Sequence, residues 1–208
     1  MDTKHNDGQV FKNRLLEKFT HTHIAVPLTI FYGTGIVLLS YSIYLGILSH
    51  TASIGLFLIG LFSFTLLEYI VHRYAFHLEP QTATTEKIQY AAHGVHHDFP
   101  KDKTRLAMPP FVSMALATGF FFLYRLIMGD NGVPFTGGFL AGYAAYLTVH
   151  YVVHAYRAPN NMFKVLWTHH AIHHHVENDR AFGVSSPLWD VVFRTMPRVK
   201  SKRTSASI

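Results

Sequence analysis

Cysteine is absent from the chain. Its absence excludes disulfides, thiolate metal sites and cysteine nucleophiles, and leaves the compartment open. Charge is scarce: 14% of the residues are Asp, Glu, Lys or Arg, against about 25% in an ordinary soluble domain. With 49% of the residues hydrophobic, that deficit points to a membrane. No early apolar core is present. The leader is polar and carries Lys4, Lys12, Arg14 and Lys18, so a cleavable signal peptide is not expected. Two metal motifs are also missing: H-E-x-x-H, the zinc hydrolase signature with its glutamate base, and E-x-x-H, the repeat of soluble di-iron bundles. The charge that remains is positive, net +6 with histidines neutral. Because the basic residues flank apolar segments, they fit a membrane surface better than nucleic acid.

What the chain has in excess is histidine, 16 residues of 208. Ten of them fall in four boxes: His72 and His77; His93, His96 and His97; His150 and His154; His170, His173 and His174. The second and fourth boxes read H-x-x-H-H. On a helix, positions i, i+3 and i+4 share one face, so each triplet is expected to aim three imidazoles at one point, a half-built metal site. Ten imidazoles are too many for one ion and suit two ions of five nitrogens each. His5, His21, His23 and His50 read as ordinary surface or interface residues. His169 and His175 flank the last box and read as supporting or solvent-facing.

Four apolar runs separate the boxes. Residues 24–49 carry no charge, and residues 51–71 carry a single acid, Glu68. With only Ser49-His50-Thr51 between them, they should form a tight hairpin. Residues 106–128 and 133–156 are the third and fourth runs, joined by Gly129-Asp130-Asn131-Gly132. Each is long enough to cross a bilayer, which takes about 20 apolar residues. Gly137, Gly138, Ala141, Gly142, Ala144 and Ala145 in the fourth run allow close helix approach, within the chain or against another copy. Short helices are expected at Val10–Phe19, Thr85–His97 and Met162–His175, a loop and short helix over 182–195, and a disordered basic tail from Arg198.

Lys and Arg lie in the leader, the middle segment and the C-terminal region, while the two tight turns hold none. The positive-inside rule then puts both termini and all four boxes on the cytoplasmic side. Two re-entrant hairpins would give the same sidedness. The expectation is an all-α integral membrane protein of four transmembrane helices, capped by a cytoplasmic, histidine-rich helical di-metal domain. It forms a single domain over 1–208: a polar leader 1–23, four spans within 24–156 with a cytoplasmic segment 78–105, and a cytoplasmic region 157–208.

Histidines beside membrane helices are costly unless they are used. Imidazole suits zinc, copper, iron and nickel. An all-histidine centre is strongly cationic, and Glu68, Asp98, Glu177, Asp179 and Asp190 are the carboxylates that could offset it. Two redox-active irons with molecular oxygen as co-substrate could oxidise an unactivated C–H bond, and a lipid chain is the substrate within reach. A bis-histidine haem carrier would use only one or two histidines. A metal transporter would place its ligands near the bilayer midplane rather than at span ends.

The order H-x-x-x-x-H, H-x-x-H-H, H-x-x-x-H, H-x-x-H-H resembles the fatty acid hydroxylase superfamily of membrane di-iron oxygenases. The likeness extends to the fatty acid 2-hydroxylases of sphingolipid acyl chains. It is carried by Leu67-Glu68-Tyr69 running into His72-Arg73-Tyr74-Ala75-Phe76-His77, by Arg105 and Pro109-Pro110 after the second box, and by Phe182 to Asp190 after the last. The resemblance implies ten metal ligands, the box histidines named above. Glu68, Asp98, His169, His175 and Asp190 are then the candidates to support them. It also implies two irons, with zinc able to take their places, and O2. Sterol and carotenoid-ring oxygenases share the same pattern. With a short leader and no fused cytochrome b5 domain, electrons are expected from a separate ferredoxin, rubredoxin or cytochrome b5-like protein and its reductase.

Overall fold

A computed structural model describes residues 9–198, and every regular element among them is helical. The leader helix α1 (Arg14–Phe19) is shorter than the pattern suggested. The Glu17 carboxylate turns back to accept the N–H groups of Val10 and Phe11 at 2.9 and 2.8 Å, which keeps those residues out of the helix.

The long apolar helices come next. Helix α2 (Ala25–Tyr44) ends at Gly46, whose φ of +62° a side chain would disfavour. Helix α3 (His50–Ile70) starts at Ser49, whose hydroxyl accepts from Ala52 N–H at 3.2 Å. The connection is therefore residues 45–49, and His50 and Thr51 are already helical. Helix α6 (Pro110–Met128) opens on a proline, which has no N–H to lose in the first turn. A 3-10 turn (Gly129–Asn131) leads directly into α7 (Gly132–Ala155).

By length and composition, three helical stretches could cross a membrane: Ala25–Tyr44, His50–Phe76 and Pro110–Ala155. The third, of 46 residues, is not straight. The chain doubles back within it, so that Phe120 meets Phe139 and Tyr124 meets Phe135, with ring centroids 5.0 and 4.7 Å apart. The third and fourth runs of the sequence thus appear as one helical hairpin without an intervening loop.

Helix α7 is the centre of the fold. Its residues Gly132 to Ala144 are all buried, and α2, α3 and α6 pack around it. Its glycines are used inside the chain. A Cβ on Gly138 would collide with the Phe57 carbonyl of α3, and one on Gly137 would lie 2.9 Å from the Gly35 carbonyl of α2. Such approach lets van der Waals packing hold helices together where lipid removes the usual hydrophobic drive. Helix α3 runs parallel to α7: Phe57 lies opposite Gly138, and Phe64 rests on Tyr143 at 5.5 Å. Helix α2 is antiparallel, with Phe31 on Tyr143 at 4.9 Å. The outer faces stay apolar and uncovered, with Ile36 63%, Phe122 64% and Leu126 84% exposed. Those are surfaces for lipid.

Short helices gather at the end where α3 and α7 finish. Helix α4 (Ala83–Gln89) starts with a reciprocal Thr82–Thr85 cap and runs through a π turn (Tyr90–Gly94) into α5 (Val95–Asp98). Helices α8 (Lys164–His175) and α9 (Leu188–Val192) complete it. The tail expected to be disordered lies almost wholly outside the described residues.

Candidate metal centre

The four boxes meet. The first hangs from α3, whose end changes to a π turn over Val71–Phe76. In an α-helix, residues five apart diverge by about 140°. The wider π turn, bonded i to i+5, swings His77 round towards His72, and their ring centroids are 5.0 Å apart. His150 and His154 end α7, and His170, His173 and His174 occupy α8.

The ten box histidines form two groups of five. One holds His72, His77, His93, His97 and His173; the other holds His96, His150, His154, His170 and His174. Within each group, one ring nitrogen from every histidine lies within 4.8 Å of the others. The triplets therefore do not each aim at one point. In each H-x-x-H-H box the i and i+4 histidines serve one group and the i+3 histidine serves the other. Adjacent helix residues project about 100° apart, so the two rings of a His-His pair diverge.

The spacing suits metal ions. Closest Nε2–Nε2 separations in the first group are 3.0 Å (His72–His93), 2.9 Å (His93–His97) and 3.1 Å (His77–His173). In the second they are 2.9 Å (His96–His150), 2.7 Å (His154–His170) and 3.1 Å (His170–His174). Nitrogens bound at right angles to one ion, at about 2.0–2.1 Å each, lie about 3 Å apart.

The opposite ring nitrogens show why the Nε2 lone pairs are free. His72 Nδ1 lies 2.5 Å from the Phe182 carbonyl, His173 Nδ1 2.8 Å from that of Arg180, and His150 Nδ1 3.3 Å from that of Leu106. A carbonyl only accepts, so Nδ1 carries the proton and Nε2 is left unprotonated, the form a metal needs. His96, His170 and His174, all of the second group, have buried Nδ1 atoms with no hydrogen-bond partner.

Two carboxylates hold the loop that supplies the Phe182 and Arg180 carbonyls. Glu68 accepts from the N–H groups of Val184 and Ser185 at 2.7 and 2.9 Å, and from the Ser185 hydroxyl. Asp190, fully buried, accepts from Phe182 N–H at 2.9 Å, Gly183 N–H at 2.8 Å and the Thr195 hydroxyl at 2.7 Å. His169 Nε2 bonds the same carboxylate at 2.9 Å and stands outside both groups. Burial alone would raise Asp190, but hydrogen bonds from His169, Thr195 and Gly183 hold it below the ordinary carboxylate value. Within this loop Ala181 is buried with φ +60°, a left-handed conformation that its N–H bond to the Thr195 carbonyl (2.9 Å) helps to hold.

The other candidates stay apart. Asp98 accepts from the Tyr90 hydroxyl at 3.2 Å, Glu177 accepts from Arg198 N–H at 3.0 Å, and Asp179 and His175 are exposed. Ser185, Thr195 and the three backbone carbonyls were not singled out from the sequence. Carbonyls carry no residue signature, and only the polar words flanking the last box hinted at the loop.

Electrostatics keeps the cluster uncharged. Burial, then neighbouring His173, pushes His77 down to about 3 and His97 likewise to about 3. Burial takes His173 down to about 4. His93, His96, His170 and His174 are also well below the usual histidine value, for burial first and neighbouring imidazoles second. Ten crowded neutral imidazoles are a donor set for cations. A cleft of about 420 Å³ opens beside the second group, where His154, His170 and His174 line it with Lys101, Trp167 and His175.

Apolar helices with uncovered outer faces, ending in two pentads of unprotonated imidazole nitrogens, define a membrane protein with metal-binding capacity. The model of the fatty acid hydroxylase family matches residues 57–195. The chain belongs to that family. It is 38% identical over 149 residues to the ceramide very long chain fatty acid hydroxylase of Schizosaccharomyces pombe, covering 70% of this chain and 43% of that protein. It is 34% identical over 145 residues to a dihydroceramide fatty acyl 2-hydroxylase of Arabidopsis thaliana, covering 69% and 61%. The chain thus matches less than two thirds of these relatives' length. The solved structure of full-length scs7p, in which only the hydroxylase domain is visible, superposes with a TM-score of 0.82 at 30% identity. That match covers 90% of this chain and 71% of that one.

Proposed function

We propose that the chain is a membrane-embedded di-iron hydroxylase that inserts one oxygen atom from O2 at C2 of a long fatty acyl chain, in ceramide-type sphingolipids or other fatty acyl substrates. The observation that carries this is the pairing of two five-imidazole groups at the end of a bundle of lipid-facing helices. Relatives named ceramide, dihydroceramide and fatty acid 2-hydroxylases support the choice of substrate and position.

His72, His77, His93, His97 and His173 would hold one ion, and His96, His150, His154, His170 and His174 the other. When bound, redox-active iron supplies the one-electron chemistry towards O2 that oxidises an unactivated C–H bond, which no side chain performs alone. Zinc could occupy the same places. The chain's own contribution is to hold the ligand nitrogens unprotonated and oriented. Phe182, Arg180 and Leu106 carbonyls fix three rings, and Glu68 and Asp190 fix the loop beneath two of them. Electrons would come from a separate one-electron carrier of the ferredoxin, rubredoxin or cytochrome b5 type and its reductase.

Helices α2, α3, α6 and α7 would form four spans of a single domain over 1–208, since α3 and α7 run parallel and both finish at the histidines. The distribution of Lys and Arg favours both termini, the segment 78–105, the region 157–208 and the metal centre on the cytoplasmic side.

Lipid mass spectrometry on a host expressing the chain, with an electron donor, tests the activity. Acyl chains should gain one oxygen, with fragments placing it at C2. A His173→Ala, His174→Ala double variant, which removes one ligand from each group, should abolish the product. Oxidation of an added sterol or carotenoid instead would overturn the C2 assignment. Unchanged lipids with iron and donor present would overturn the enzyme reading.

A further inference from the structure

The two groups are not equally supported, and the difference leads to the leader. The first group has two backbone carbonyl anchors, at 2.5 and 2.8 Å. Among the described residues the second has one, the Leu106 carbonyl on His150 at 3.3 Å, and three of its Nδ1 atoms are buried without a partner. Leu106 follows Arg105, whose side chain is only 5% exposed. That guanidinium donates to Glu17 Oε1 at 2.5 Å, to the Thr20 hydroxyl at 3.3 Å and to Asp102 Oδ2 at 3.2 Å, and meets His21 Nε2 at 2.9 Å. The backbones are tied as well: Thr22 N–H donates to the Thr104 carbonyl at 2.7 Å. The leader is therefore fastened to the residues immediately before the carbonyl that orients His150. Without Glu17 the nearly buried guanidinium keeps Asp102 alone as a carboxylate partner, loses its shortest ion pair and its tie to the leader, and is drawn towards water with the adjoining backbone.

We propose that the Glu17–Arg105 clamp is a positioning device for the second metal group, setting its affinity through the Leu106 carbonyl and His150 while leaving the first group untouched. This rests on the metal-binding reading above.

The test is cobalt(II) titration of the full chain in detergent, followed by absorption and by metal analysis after gel filtration. Wild type should take up two ions per chain. His77→Ala should weaken the first group, so that the tighter ion reports the second, and His154→Ala should do the reverse. Adding Glu17→Gln to His77→Ala should weaken that tighter ion by about tenfold to a hundredfold, the usual cost of losing a partner that orients a ligand. Adding it to His154→Ala should change nothing. Thr20→Val removes one bond of the clamp and is the milder second variant if Glu17→Gln does not fold. Equal weakening in both backgrounds, or none in either, would overturn the proposal while leaving the metal centre intact. Failure of wild type to bind cobalt would overturn the metal reading itself.

Discussion

His97 lies flat against His174, with ring centroids 4.1 Å apart and planes inclined by 18°, although the two belong to different groups of five. Each is at once a candidate ligand for its own group and a wall for the other. His77 has no such double position, since its ring neighbours are His72, His93, His97, His173 and Phe182. His97→Ala is therefore expected to lower metal affinity at both groups and His77→Ala at the first alone. Cobalt titrations of the two variants check this, and identical binding curves would refute it.

Glu68 provides a second prediction. Its carboxylate satisfies two backbone N–H groups and a hydroxyl of the loop that reaches His72. Glu68→Ala leaves those donors buried and unpaired, at about 1–3 kcal/mol. The variant should melt earlier in detergent and lose metal from the first group before the second. A variant with wild-type stability and metal content would show that the loop is held by Asp190 alone.

The helix contacts predict opposite outcomes for two glycines. Gly138→Val places a branched side chain against the Phe57 carbonyl and should destabilise the chain by at least the roughly 1–3 kcal/mol typical of overpacking. At Gly119, in the middle of α6, a Cβ would meet nothing within 4 Å. Gly119→Ala should stabilise the chain slightly, by about 0.5–1 kcal/mol. Thermal unfolding of both in one detergent decides the matter.

Protons should destabilise the metal-free protein in a defined window. An unfolded histidine titrates near 6.5, whereas folded His77 and His97 titrate at about 3 and His173 at about 4. The unfolded chain thus binds more protons between those values, and stability falls as pH drops below about 6.5 towards 4. Above that range these histidines contribute no slope. Denaturation of chelator-treated protein from pH 8 to pH 4 measures the effect, and a flat profile through that window would contradict the buried, neutral cluster.

The sequence made the boxes, the apolar runs and the all-helical character legible, because histidine spacing and helix-length hydropathy survive in one dimension. It hid how the boxes divide. H-x-x-H-H reads as three rings on one face, yet the step from His96 to His97 sends neighbouring rings to different groups. Neither π turn has a residue signature, so the five-residue spacing of His72 and His77 does not show that one wide helical turn brings the two rings together. The Gly129–Gly132 turn was legible as a turn, but not that it is itself helical and joins α6 to α7 without a loop. The anchoring carbonyls of Phe182, Arg180 and Leu106 were invisible for a simpler reason: every residue has one.

The π turn at Val71–Phe76 separates α3 into two phases. Up to Ile70 the helix keeps its register against α7, with Phe64 and Glu68 placed by ordinary α-helical geometry. Beyond it the wider turn resets the angle at which the chain presents its rings. Without that wider turn an uninterrupted α-helix would carry His77 about 140° round from His72, while the apolar part of α3 kept its register. The bundle and the ligand cage are geared to each other at that one turn, and each can be rotated without unpacking the other.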